Sequence, residues 1–170
     1  NHLTLSRAAL YESLLSGAEI SDSASRISHP SSEIEAAVSG LRRAGTQHWI
    51  PTALLTRAWH RCLLSNLTCR TAGENESGPL GRQTGPDSAQ SDLDEAWEIA
   101  SRGPMPLFMA DIHLHRARLF GVASDEDPKA KYPWESVEHD LREARRLIVD
   151  HGYGRRMEEL EDAEAALLGR

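Results

Sequence analysis

Apolar residues recur at three- and four-residue intervals through most of the chain, and no alternating β-branched run is long enough to compete. This pattern predicts seven helices, over residues 3–17, 31–45, 51–66, 88–103, 105–121, 133–151 and 155–168. Pro30, Pro51, Pro104 and Pro133 each precede or open one of these segments, where a missing N–H is tolerated. Gly17, Gly45, Gly103, Gly121 and Gly152 stand where the segments are expected to stop. Residues 68–87 depart from the pattern: four glycines, two prolines and little apolar bulk predict a flexible loop. Such length is tolerated in a helical protein more often than it is functional. A shorter loop is expected over 123–132.

The predicted helices resemble one another. Leu5-Ser6-Arg7-Ala8, Leu55-Thr56-Arg57-Ala58 and Leu114-His115-Arg116-Ala117 place Leu-x-Arg-Ala in the first, third and fifth, while Leu41-Arg42-Arg43-Ala44 ends the second. The even-numbered helices share Ile34-x-x-Ala37, Leu93-x-x-Ala96 and Leu141-x-x-Ala144. The order is therefore A-B-A-B-A-B plus a final helix. From the A-helix Arg to the B-helix Ala the spacings are 30, 39 and 28 residues, the middle one lengthened by the 68–87 loop. Small Ala residues let A and B helices approach closely, and hairpins that cannot bury their apolar faces alone stack on neighbours. The expected fold is all-α: a solenoid of three helical hairpins (about 3–45, 51–103 and 105–151) in a single domain over 1–170. Residues 155–168 would cap it, with Met157, Leu160, Ala163 and Leu167 on a narrow apolar stripe and acids outside.

Composition narrows the function classes. The 170 residues carry 26 acidic and 19 basic side chains, a net charge of −7, with 5% aromatics. The acid excess disfavours a general nucleic-acid binder, whose affinity comes from Lys and Arg on phosphates. No apolar run suits a bilayer span, so no membrane partner is expected. Cys62 and Cys69 are too few for a disulfide framework, which points to a reducing, cytoplasmic setting. The start at Asn1, without Met or an apolar leader, suggests a piece of a longer protein. No phosphate-binding loop motif occurs, and no cofactor is expected.

The alternating helices with Ala at their crossings resemble tetratricopeptide (TPR) repeats. More narrowly, "LRRAGTQHWIPTALLTRAWHRCL", "SDLDEAWEIASRGPMPLFMADIHLHRARLF", "YPWESVEHDLREARRLI" and "HGYGRRMEELEDAEAAL" resemble the TPR-like tails of large bacterial multidomain signalling proteins. Many of those join such a tail to a signal-transduction ATPase of the NACHT or NB-ARC (STAND) type. The resemblance implies a protein-interaction or sensor module without catalytic residues of its own. Its partner would be a protein, a peptide or a neighbouring domain, taken up on a concave face lined by A helices.

Candidate contact residues on that face are Arg7, Arg57, His60, Arg61, Asp111, His115 and Arg116. The repeated Arg7, Arg57 and Arg116 would either grip carboxylates bidentately or pair with acids on the neighbouring helix. A basic cluster, Arg142, Arg145, Arg146, Arg155 and Arg156, would dock an acidic partner or balance Glu138, Glu143, Glu158, Glu159 and Glu161. The alternative function is a small metal-dependent hydrolase using His60, Asp111 and His115. Asp111 and His115 share a helix face at i, i+4, with His113 pointing elsewhere, and His60 would have to supply a third ligand. Cys62 and His60 diverge at two residues apart, so Cys62 reads as a buried member of the Leu55-Trp59-Cys62-Leu63 stripe. Trp49, Trp59, Trp97 and Trp134 are expected to pack between hairpins, with Trp134 the candidate for an exposed anchor. A structural spacer with no ligand is the third reading. Acids fall on B helices and the final helix while Arg recurs in A helices, which predicts a binding face less acidic than the molecule as a whole.

Overall fold

The computed structural model describes residues 3, 4, 7, 8, 11, 31–71, 88–126 and 132–169, with the side chains of 65–71 and 122–126 outside that description. Among the described residues every regular element is helical. Six α helices follow one another: α1 Ser31–Arg43, α2 Ile50–Thr71, α3 Ala89–Arg102, α4 Pro106–Glu126, α5 Val137–Asp150 and α6 Met157–Leu168. Single 3-10 turns, Gln47–Trp49 and Gly154–Arg156, lead into α2 and α6. Leu3, Thr4, Arg7, Ala8 and Tyr11 are also helical, and the rest of the helix expected over 3–17 lies outside the described residues.

The chain divides into two compact units, Asn1–Glu95 and Ala96–Arg170, with the division inside α3. In the first, α1 packs on α2, and Ile34, Val38, Ala53, Leu54, Ala58 and Leu93 are buried. In the second, α4, α5 and α6 pack on one another around Ala110, Leu114, Ala117, Leu141, Ala144, Leu147, Ile148, Leu160 and Ala163. The expected apolar stripe of the last helix holds: Leu160 and Ala163 are buried, and Met157 and Leu167 pack against them.

Several expected boundaries move. Helix α2 runs on through Thr71, so 68–71 are helical rather than loop; 72–87 lie outside the described residues. Helix α4 continues to Glu126, so Gly121 is no stop and 123–126 are not loop. Gly121 is buried, and a Cβ there would lie 3.2 Å from Leu167 and 3.3 Å from Val137, so close packing on α5 and α6 explains it. Helix α5 starts at Val137 and not at Pro133, because Ser136 is its N-cap and its hydroxyl accepts from His139 N–H at 3.0 Å.

The turns that end α1 and α5 are the same turn. Gly45 (φ 67°) and Gly152 (φ 69°) take the left-handed conformation that only Gly adopts freely. The next N–H reaches back five residues, Thr46 to Leu41 and Tyr153 to Ile148; Met105 to Ala100 repeats that bond after α3. These registers superpose the buried pairs Ile34/Ala37, Leu93/Ala96 and Leu141/Ala144. Ser88 and Ser136 occupy one position as N-caps of α3 and α5. Counted from the same turns, Arg57, Arg116 and Glu164 are equivalent, as are the buried Ala53, Ile112 and Leu160.

Candidate functional site

Two of the three repeated arginines turn inward. Arg57 donates from Nε and Nη2 to Asp92 Oδ1 at 3.0 and 2.7 Å, and from Nη1 to Glu35 at 2.8 Å. Arg61 adds Nη1 to Asp92 Oδ2 at 3.0 Å and to the Ser88 carbonyl at 3.1 Å. Burial raises the Asp92 carboxyl, opposed by hydrogen bonds and charge from Arg57 and by the charge of Arg61. Burial also works against the Arg57 cation, but the Asp92 bond and charge outweigh it and leave the guanidinium more firmly protonated. Arg57 and Asp92 are therefore structural partners, and the expectation that Arg57 lines an open binding face is corrected.

Arg116, at the equivalent position, lies against two aromatic rings. Its guanidinium carbon lies 5.0 Å from the Trp97 ring and 4.6 Å from the Trp134 ring, and the residue is buried. Trp134 is half-buried, edge-on to Phe120 at 5.1 Å, so it is no exposed anchor. Trp49, expected inside, is the exposed one at 53%, because it sits on the 3-10 turn before α2. Trp59 is half-buried with its ring 5.2 Å from that of Tyr11, and Arg7 is exposed.

Beside Arg116 lies a buried polar group that the sequence reading passed over. His113 Nδ1–H donates to Asp140 Oδ1 at 2.6 Å, and the Tyr132 hydroxyl donates to Asp140 Oδ2. Trp97 closes on the His113 ring edge-on at 4.9 Å. Burial, then the bond to Asp140, pushes the Tyr132 hydroxyl up from its ordinary value. One signal pointed here: Asp92 and Asp140 each stand immediately before the Leu of the B-helix pattern, as Glu33 stands before Ile34.

The residues expected as metal ligands each have another partner. His60 is buried with Nε2 3.3 Å from Ser31 Oγ. Asp111 is buried and accepts from Arg156 Nε at 2.6 Å and Nη2 at 3.1 Å. His115 Nδ1–H donates to the Asp111 backbone carbonyl at 2.8 Å, the ordinary i to i−4 acceptor of its own helix. Among the described residues no three of His, Cys, Asp and Glu are placed to hold a metal ion.

The basic cluster disperses into ion pairs. Arg145 holds Glu164 through Nε at 3.0 Å and Nη2 at 2.5 Å, Arg146 reaches Glu143 at 2.9 Å, and Arg156 adds Glu159 at 3.0 Å. Arg142 donates to His139 Nδ1 at 3.0 Å, and Arg155 is exposed. The hydrogen bonds to Glu164 and to Asp111 raise Arg145 and Arg156 respectively. Cys62 is buried, and burial pushes its thiol up to about 12, which leaves no nucleophile at neutral pH. Among the described residues no helix is long and apolar enough to cross a membrane. Comparison with protein-family models, curated proteins and solved structures gives no match for the chain.

Proposed function

We propose that the chain is a TPR-like array of helical hairpins working as a protein-interaction or sensor module, as in the tails of bacterial multidomain signalling proteins. The observation that carries this reading is the repeated register. The same backward hydrogen bond ends α1, α3 and α5, and the same apolar and Ala positions behind it are buried. Repeated hairpins of this kind need neighbours to cover their apolar faces, which is the logic of a solenoid. Helix α6 fits as a capping A-type helix. Where α2 and α4 bury Leu55 and Leu114, and Ala58 and Ala117, α6 exposes Asp162 and Ala165.

The buried Arg, His and Asp groups have internal partners, so recognition falls to the outer faces of the A helices. In the second unit His115 and Arg118 on α4 are the residues assigned to it; Arg118 is 52% exposed. The partner is a protein, a peptide or another domain of the same polypeptide. The test is selection of a peptide-display library on the purified chain, followed by calorimetric titration of a selected synthetic peptide. A saturable isotherm whose affinity falls at least about tenfold in Arg118→Glu is expected, a change of about 1.4 kcal/mol. No enriched peptide, or one indifferent to Arg118→Glu, overturns the assignment.

A further inference from the structure

Charge is unevenly spread along the chain. Between Glu35 and Glu74 the sequence holds five arginines and no acid, in a protein whose net charge is −7. Arg57 and Arg61 in that stretch turn inward to Asp92 and Glu35. The connection between α1 and α2 faces outward instead. Arg42, bound to Glu95 yet 46% exposed, and the exposed Arg43 end α1. His48 and Trp49 follow on the 3-10 turn with their rings 5.5 Å apart. Trp49 is 53% exposed, and its backbone is held in place. Its N–H donates to the Thr46 carbonyl at 3.0 Å, the Thr46 N–H and hydroxyl both reach the Leu41 carbonyl at 3.3 Å, and the next residue, Ile50, is buried. The residues at the matching position of the other two turns are less open: Phe108 is half-buried, and Arg156 holds Asp111 and Glu159.

We propose that the α1–α2 connection is a docking site for an acidic segment of a partner protein, with Trp49 as apolar anchor and Arg42 and Arg43 receiving its carboxylates. Charge complementarity selects the occupant: a net-negative chain repels an acidic segment except where its own acids are missing. Arginine suits the task because its planar fork takes both oxygens of a carboxylate. The indole face takes an apolar or aromatic side chain of the same segment. Tryptophan is among the side chains that carry most of the energy of an interface, and one already fixed on a hydrogen-bonded turn gives up little conformational freedom on binding. The site uses none of the α4 residues assigned above.

The probe is an array of short fluorescein-labelled peptides of Asp, Glu, Gly and Ser, each with one central Phe, Trp or Leu, titrated with the full chain and read by anisotropy. In parallel, fluorine NMR of the chain labelled with 5-fluorotryptophan follows Trp49, assigned through Trp49→Phe. Saturable binding that moves the Trp49 signal is expected. Trp49→Ser and Arg43→Glu each weaken it at least about tenfold, while Arg118→Glu leaves it unchanged and so separates this site from the α4 face. Both side chains are exposed, so the two variants are expected to keep the far-UV spectrum of the parent, and where one fails to fold the other decides. An array in which no peptide moves the Trp49 signal overturns the proposal. So does equal affinity for the same peptides without their apolar residue, which reduces the contact to charge. Tighter binding of an oligothymidylate assigns the surface to a phosphate backbone, and a Trp49 signal that shifts with chain concentration alone assigns it to a second copy; either result overturns it.

Discussion

Arg57 and Asp92 form a two-pronged buried pair, and Arg116, eleven residues after the matching turn, sits between the Trp97 and Trp134 rings. This A-helix position is thus buried in both cases. An ion pair fixes the α2–α3 hairpin through charge and geometry, and stacked rings hold Arg116 through its π-facing surface.

Asp92→Ala leaves Arg57 and Arg61 without their buried carboxylate, with the exposed Glu35 still beside both, and is expected to lower stability by about 3 kcal/mol. The double variant Arg57→Met/Asp92→Leu removes the charge together with its partner and recovers to within about 1 kcal/mol of the parent. Urea denaturation of the parent, Arg57→Met, Asp92→Leu and the double variant completes the cycle. A double variant as unstable as the sum of the singles would show that the two side chains act independently.

Two helical glycines are expected to respond in opposite directions. Gly40 in α1 has nothing within 4 Å of a new Cβ, so Gly40→Ala stabilises by about 0.5–1 kcal/mol through helix propensity. At Gly121 the added methyl meets Leu167 at 3.2 Å and Val137 at 3.3 Å. Overpacking there outweighs propensity, and Gly121→Ala costs about 1 kcal/mol net. Thermal unfolding of the two variants side by side checks the signs.

That glycine also marks what was legible in the sequence. Spacing alone located the helices, because a buried stripe such as Ile34, Ala37 and Val38 leaves its period in the sequence. It misplaced their ends. Gly121 reads as a stop because its packing partners, Val137 and Leu167, come from later in the chain. Pro133 drew the start of α5 away from Ser136, whose capping bond is the stronger determinant. The arginine repeat was visible, but whether Arg57 faces Asp92 or a ligand depends on cross-helix geometry that no local pattern encodes. His113 lies off the face that Asp111 and His115 share, and its own ring is buried against Asp140.

Among the C-terminal arginines, burial of the partner predicts rank. Arg156 holds Asp111, whose side chain is 12% exposed, and Arg156→Ala is expected to cost about 1 kcal/mol. Arg146 pairs with Glu143 and Asp150 on the surface of its own helix, and Arg146→Ala leaves the unfolding midpoint unchanged. Raising salt is expected to narrow the difference little, because screening acts mainly on the exposed pairs. Chemical denaturation at low and high salt measures it.

Cys62 gives an alkaline test in a Cys69→Ser background. Its thiol is pushed up from its ordinary value of 9.0 to about 12 in the folded chain, by burial first and by the charge of Asp92 second. At neutral pH the native thiol is expected to resist a water-soluble disulfide reagent and to react once urea unfolds the chain. Above pH 9 the unfolded chain gives up this proton while the native chain keeps it, so the native state binds more protons and stability falls as pH rises. The contribution is fully present below the unfolded value and declines through the window up to about 12, at no more than about 1.4 kcal/mol per pH unit. Cys62→Ala lacks this loss. Its stability deficit against the parent therefore shrinks between about pH 9 and about pH 11, and a deficit that stays constant across that range places the native thiol near its ordinary value.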